Sequence, residues 1–443
     1  MTINRLTMWA ASDGVLGYSP LRQGPGVVYP RGSSTVATRE GILWGGLVSD
    51  GNPFSLLRIG GQAVGTGTMP GRIVRPGVYE NPASADVRIF RVRRDWATAD
   101  LRADAADTYG IPDLIVTKAD MDRLREDYRR DWLEWPWDKG APYYERNGVP
   151  GYQPSPDALP DSTYDEPGLH DADQILWFVV NDLDPVVTQN FYGTEPIGME
   201  AQVTCWAYNR ADGTGDVVYQ KFKLIYKGTA TTPSGAHIDS MVISKWADAD
   251  IGNYSDDFAG YDAARQTAYA YNADPTDLEF DKIPAVPSVV GYALLQGPRV
   301  PSPGATAHWD GGLVPGYANL PASSFTYVDG DTRTGDSKTG FSKPFVMWNV
   351  MRGYQGVFLN PPACLVDPLT GECTKFELTG DPETFSGWVD GAITPKGDRR
   401  LVLSAGPFSM AKGDTQEVIF ALAGGVGEDN RAGISGLRRN VGA

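Results

Sequence analysis

The chain has 443 residues, 41% of them hydrophobic and 11% aromatic, which is enough for a sizeable packed core and excludes a disordered polymer. Against 39 Lys+Arg stand 55 Asp+Glu, a formal charge of −16, so no nucleic acid or anionic membrane is expected to bind through a broad basic face. The 52 Gly and 33 Pro fit a turn-rich β protein rather than a helical one.

The opening stretch MTINRLTMWAASDGVLGYSP has no apolar run of signal-peptide length. No window approaches the ~18 apolar residues of a transmembrane helix, so no membrane insertion is expected. Residues 1–110 read as an N-terminal β-rich subdomain of short strands between glycine turns, clearest in GILWGGLVSDG, FSLLRIGGQAVG and ADVRIFRVRRDW. Residues 111–170 hold a helix and a long loop. Thr117 is a suitable N-cap, with Asp120 as its capping-box partner. Met121, Leu124, Tyr128, Trp132 and Trp135 recur at helical spacing and make one apolar stripe, so one long amphipathic helix is expected over about 117–135. Pro136 stops it. The Pro/Gly-rich loop from 136 to 170 is long, and such loops commonly carry function.

Residues 171–443 read as the main β-sandwich module, with a loop-rich insertion over about 284–395. DQILWFVVNDLD is a buried-type strand. In DVVYQKFKLIYK, Val218, Phe222, Leu224 and Tyr226 share one face while Lys221, Lys223 and Lys227 share the other. In HIDSMVISKW, Ile238, Val242 and Trp246 share a face, and these two runs are expected as neighbouring antiparallel strands. SKPFVMWNVMRGYQG reads as a short helix or strand. RRLVLSAGPFSM and TQEVIFALAGG follow as strands around a turn at Lys412–Asp414. The final DNRAGISGLRRNVGA begins like a helix, with Ile434 and Leu437 on one face, and reads as a boundary within a longer polypeptide. The expected fold is mainly β: a large antiparallel β-sandwich-like module with one long helix and long loops.

Neither G-x-S-x-G, H-E-x-x-H, C-x-x-C nor a P-loop occurs, and His170, His237 and His308 are scattered. Among so many carboxylates Glu134, Glu195 and Glu200 are no better than chance picks for a glycosidase pair, so no catalytic residue is nominated. The stretch WADADIGNYSDDFAGYD is different. Asp248, Asp250, Asn253, Asp256, Asp257 and Asp262 supply the hard oxygens that calcium needs, although the EF-hand spacing is missing; turn-capping by solvated Asp is the plainer alternative. Asp161, Asp165, Glu166, Asp171 and Asp173 form a weaker group of the same kind. Trp132, Trp135, Trp137, Tyr143 and Tyr144 crowd the helix end and could stack on sugar rings or, more simply, staple the long loop to the core. Cys364 and Cys373 flank a turn-rich stretch that lets them pair as a disulfide, with three reduced cysteines as the alternative, and Cys205 reads as a buried thiol.

The segments MWAASDG, LRIGGQ, DVRIFRVRRDW, WPWDKGAPYYERNG, DQILWFVVNDLD, YGTEPIGMEAQVTCWAY, DSMVISKWADADIGNYSDDFAGYD and LVLSAGPFSMAKGDTQEVIFALAGG carry a resemblance. Together they are similar to a family of large uncharacterised secreted proteins of Bacteroidetes, Ignavibacteria and related bacteria, many of which end in a type IX secretion sorting domain. The resemblance implies an extracellular or cell-surface location and a β-sandwich-like N-terminal module, and it brings no activity with it. Set beside that family, the stretch from 1 to 443 is expected to be the module without its signal peptide, following β-sandwich repeats or sorting domain. On this basis the expected function is a secreted, non-catalytic structural or binding module for surface assembly, adhesion or glycan attachment. A polysaccharide-active, glycoside hydrolase-like enzyme and a self-assembling filament or layer subunit are the alternatives. The partners expected are glycans, other surface proteins or copies of the chain itself, with calcium as the one cofactor.

Overall fold

The computed structural model describes residues 1–21, 23–53, 56–329, 344–357 and 359–442. Phe54 and Ser55, in the second N-terminal strand run, and Ser342 and Lys343, which open the SKPFVMW run, lie outside the described residues.

The principal strands are β1 (Arg39–Ser49), β2 (Leu57–Gly61), β3 (Phe90–Arg93), β4 (Gln174–Asn181), β5 (Met199–Ala207), β6 (Val217–Tyr226), β7 (His237–Asp248) and β8 (Asp257–Asp262). They continue with β9 (Thr267–Asn272), β10 (Val289–Gln296), β11 (Arg299–Trp309), β12 (Gly312–Asn319), β13 (Ala322–Asp329), β14 (Arg399–Ala411) and β15 (Thr415–Gly425). Among the described residues two large antiparallel sheets form. One runs β3-β4-β5-β6-β15-β10-β9-β8, with Met69–Pro70 also pairing with β4; the other runs β13-β14-β7-β1-β2.

The strand period of two explains the layering. On β4, Leu176, Phe178 and Val180 point between the sheets, while Ile175, Trp177 and Val179 point to the opposite face, so the run is apolar throughout. The interior between the sheets also takes Phe222 and Leu224 from β6, Ile243 from β7, Leu401 and Leu403 from β14, and Phe420 from β15. The outer faces are covered by helices. Helices α1 (Arg102–Tyr109) and α2 (Lys118–Leu133) pack Leu101, Ala105, Leu124, Tyr128 and Trp132 over Phe90, Val92, Ile175 and Trp177. Helix α3 (Pro185–Tyr192) and helix α4 (Pro344–Met351) cover Leu43, Ile59, Val242, Trp246 and Val402 of the smaller sheet. Helix α5 (Ala432–Val441) sets Ile434 and Leu437 on Tyr269, Val289 and Ala423 of the larger. None of the described helices is long and apolar enough to cross a membrane.

Four expectations are corrected. Strands β6 and β7 are not neighbours: both edges of β6 are already paired, to β5 and β15, so the chain crosses to the other sheet through the linker after Tyr226. The turn after β14 also changes sheets, and the two crossings are tied by Tyr226 N–H to the Asp414 carbonyl at 3.1 Å and Gly413 N–H to the Tyr226 carbonyl at 2.7 Å. Ile238 does not share a face with Val242 and Trp246, because a bulge around Ser240, whose φ is 52°, switches the strand's faces. Residues 1–110 do not stand apart as a subdomain: β1 and β2 complete the smaller sheet and β3 edges the larger. The 284–395 segment is likewise no simple insertion, since β10 lies inside the larger sheet and β13 edges the smaller.

Candidate functional site

Three places gather chemistry-bearing side chains. The first is an acidic corner where β7 ends and β14 begins. The antiparallel register puts Asp248 opposite Arg400, and so brings the end of β7 beside the residues that lead into β14. There Asp248, Asp250 and Asp398 each place a carboxylate oxygen within 4.8 Å of the others. The Arg400 guanidinium bridges two of them, Nε to Asp248 Oδ1 at 3.1 Å and Nη2 to Asp398 Oδ2 at 2.9 Å. The Thr38 hydroxyl donates to Asp250 Oδ2, while Asp250 Oδ1 is buried without a donor. Burial pushes the Asp250 carboxyl up to about 6, opposed by the Thr38 hydrogen bond and reinforced by Asp398. Asp257 is fully buried; its Oδ2 accepts Ile251 N–H at 3.1 Å and its Oδ1 has no donor. Burial, and then the charge of Asp250, holds its carboxyl well above the usual range.

Of the six residues expected to form a calcium loop, Asp248 and Asp250 meet, with Asp257 as their electrostatic neighbour. The others do not join them. Asn253 caps its own turn by accepting Ser255 N–H at 3.3 Å. Asp256 is raised by burial and then by Asp277, with Lys396 opposing, so its charged neighbours belong to another loop. Asp262, at the far end of β8, pairs with Arg265 at 3.1 Å and Arg438 at 3.2 Å. Asp398 was invisible to spacing, because only the β7–β14 register brings it in. The second acidic group is consumed by the fold. Asp165 accepts Arg146 N–H at 2.8 Å and Gln153 N–H at 2.9 Å, and Glu166 pairs with Arg146 at 2.7 Å and Arg94 at 2.9 Å. Asp173 accepts Asn209 N–H at 2.7 Å, Asp161 caps Thr163, and Asp171 sits 3.3 Å from Arg94.

The second place is the aromatic end of α2. Trp132 and Trp135 are 1% and 2% exposed, so neither can stack on a ligand; Trp132 packs toward the sheet from α2, and Trp135, two residues past the end of the helix, joins the same core. Trp135 Nε1 donates to the Pro142 carbonyl at 2.7 Å and Tyr152 Oη donates to the Trp132 carbonyl at 2.8 Å, which ties the long loop down. Trp137 is 43% exposed and meets Tyr143 edge-on at 6.2 Å. Tyr144 is half-buried, 4.4 Å from the His170 ring and under the Arg146 guanidinium at 4.7 Å. Beside Tyr143 lies a cavity of about 330 Å³, walled by the loop after α2, the uncovered middle of the larger sheet and the tip of the β11–β12 hairpin. Tyr143, Gln202, Thr204, Lys221, Lys223 and Asp310 line it. The Lys221 ammonium stands 3.6 Å from Glu417 and 3.7 Å from Asp310, and among the described residues no carboxylate pairs with Lys223. These lysines are the outward face that the alternation on β6 predicts.

The third place is a cavity of about 450 Å³ bounded by Tyr327, Glu377, Trp388 and Asp390. Asp390 is saturated by Arg399 Nε and Ala259 N–H, both at 2.8 Å on Oδ2, and by Gly391 N–H at 2.8 Å on Oδ1. Nearby, Cys364 and Cys373 are joined as a disulfide, while Cys205 is a buried free thiol that burial pushes up to about 12.

Compared with known proteins, the chain matches no family model and no curated protein.

Proposed function

We propose that this protein is a secreted or cell-surface binding module, without catalysis of its own, that attaches to glycans. The observation that carries the reading is the cavity at Tyr143. It combines an aromatic ring, an amide, a hydroxyl and two ammonium groups, the mixture that recognises a polyol ring, and the loop after α2, strands β4, β5 and β6 and the β11–β12 hairpin tip wall it. The disulfide and the family resemblance support export. Affinity electrophoresis through gels containing neutral and uronate-bearing polysaccharides tests this. The native protein should be retarded by at least one, and Tyr143→Ala and Lys223→Ala should each weaken the interaction about tenfold or more, with Lys223→Ala leaving the melting temperature unchanged. No retardation by any polysaccharide, or undiminished retardation of both variants, would overturn the reading.

A second reading, a polysaccharide-active enzyme, is favoured by one observation: Glu377 and Asp390 line the same cavity as Trp388. It requires release of reducing ends from a polysaccharide, abolished by Glu377→Gln. Its weakness is that Asp390 is already bound to Arg399.

A further inference from the structure

We infer that the corner formed by Asp248, Asp250 and Asp398 binds a hard divalent cation of the calcium class, which clamps the loop after β7 to the residues that enter β14. The donor set is oxygen only: three carboxylates converge within 4.8 Å, and no His or Cys belongs to the group. That chemistry selects calcium or magnesium over zinc.

Proximity of carboxylates alone would not carry this. A second observation comes from the buried oxygens. Asp250 is 9% exposed, its Oδ2 is taken by Thr38, and its Oδ1 lies buried with no hydrogen-bond donor. Asp257 is 0% exposed and outside the converging trio, and its Oδ1 is in the same condition. Buried carboxylate oxygens are ordinarily satisfied, and each exception calls for an explanation. Among the described residues, Arg400 pairs with Asp248 at 3.1 Å and with Asp398 at 2.9 Å. A divalent ion held by the three carboxylates gives this acidic corner a counter-charge and a partner beyond Thr38 for the Asp250 carboxylate. Calcium is preferred to magnesium because a corner made of two loop ends tolerates irregular coordination better than the rigid octahedron magnesium demands.

The test uses the full chain after dialysis against EDTA. Equilibrium dialysis with calcium at about 1 mM, the range in which extracellular modules bind, should find one ion per chain. The same addition should raise the melting temperature by about 2 °C or more. Asp398→Asn and Asp250→Asn should each lose the bound ion and the thermal response. Asp262→Asn, at the far end of β8, should keep both. No bound ion in the native protein overturns the inference, as does full binding by both corner variants. A response to magnesium as large as that to calcium overturns the calcium assignment. Because the dialysis reads the native chain, the result stands even where a variant fails to fold.

Discussion

Strand β7 takes part in two charge clusters, one buried and one half-buried, and they are built on opposite plans. The Lys245 ammonium is 1% exposed and lies between the sheets, 2.7 Å from Glu40 Oε2 on β1 and 2.6 Å from Gln220 Oε1 on β6. Gln220 Nε2 in turn donates to Glu40 Oε1 at 3.1 Å, and the Phe222 and Tyr292 rings stand 5.6 and 5.3 Å from the ammonium. One cation meets one anion, and three strands supply the donors and acceptors. At the acidic corner, by contrast, three carboxylates converge beside the Arg400 guanidinium, and among the described residues an oxygen of Asp250 is left without a donor. Burial makes each mismatch costly, because solvent cannot screen it. The first cluster pairs its buried anion with a cation held by the fold; at the second, an oxygen of Asp250 has only the inferred ion to meet it.

The largest effect should come from unbalancing the first cluster. Lys245→Met leaves Glu40 buried without its cation and should cost about 3–5 kcal/mol in denaturant unfolding. The double variant Lys245→Met/Glu40→Leu removes both charges and should recover a large part of that loss. Neither effect should depend on calcium or EDTA. A single-variant cost under about 1 kcal/mol would mean that the pair is not electrostatically closed, and the contrast with the acidic corner would lapse.

Part of this architecture is legible in the sequence. Thr117 and Asp120 form the capping box that the spacing predicts, and the helix ends at Leu133, before Pro136. The lysine face of β6 and the buried run of β4 are where their periodicities put them. What could not be read was pairing between distant strands. Two connections, a linker from 227 to 236 and a turn from 412 to 414, switch sheets, and neither length reveals it. Asp398 and Lys245 acquire their partners only through register, and PSVVGYALLQG reads as loop-rich because a strand buried on both faces shows no alternation. In the aromatic cluster both alternatives are open in the sequence; Trp132 on the helix and Trp135 just past its end lie in the core, as the apolar stripe implies.

A third buried carboxylate sharpens the comparison by using neither a side-chain cation nor a ligand. Asp182 Oδ1 accepts Gly198 N–H at 2.8 Å and Met199 N–H at 2.7 Å, and Oδ2 accepts Ile197 N–H at 3.3 Å. Burial outweighs these bonds and raises its carboxyl from 3.8 to about 6. The folded chain thus holds a proton that the unfolded chain releases, so this group's contribution to stability falls as pH rises from about 4 to about 6. The gap corresponds to at most about 3 kcal/mol. Asp182→Asn should flatten the pH dependence of stability over that window relative to the native chain, read as melting temperature against pH. An unchanged slope would show that the backbone donors already hold the carboxylate as firmly as water does.

The smallest effect marks the exposed end of the same scale. At the start of α2, Thr117 Oγ1 accepts Asp120 N–H at 3.2 Å, and Asp120 Oδ2 accepts Thr117 N–H at 2.8 Å. Thr117→Ala removes one arm of the box and should cost about 1 kcal/mol. It leaves Asp120 in solvent, where a carboxylate needs no partner, so the loss is confined to one helix N–H that water can replace. Lys245→Met also deletes one partner of a carboxylate, but in the interior. If burial is what separates a closed cluster from an incomplete one, the interior deletion must cost several times more than the exposed one. Equal costs would place the cause in bond number rather than in solvent exclusion, and would remove the reason to expect a cation at Asp250.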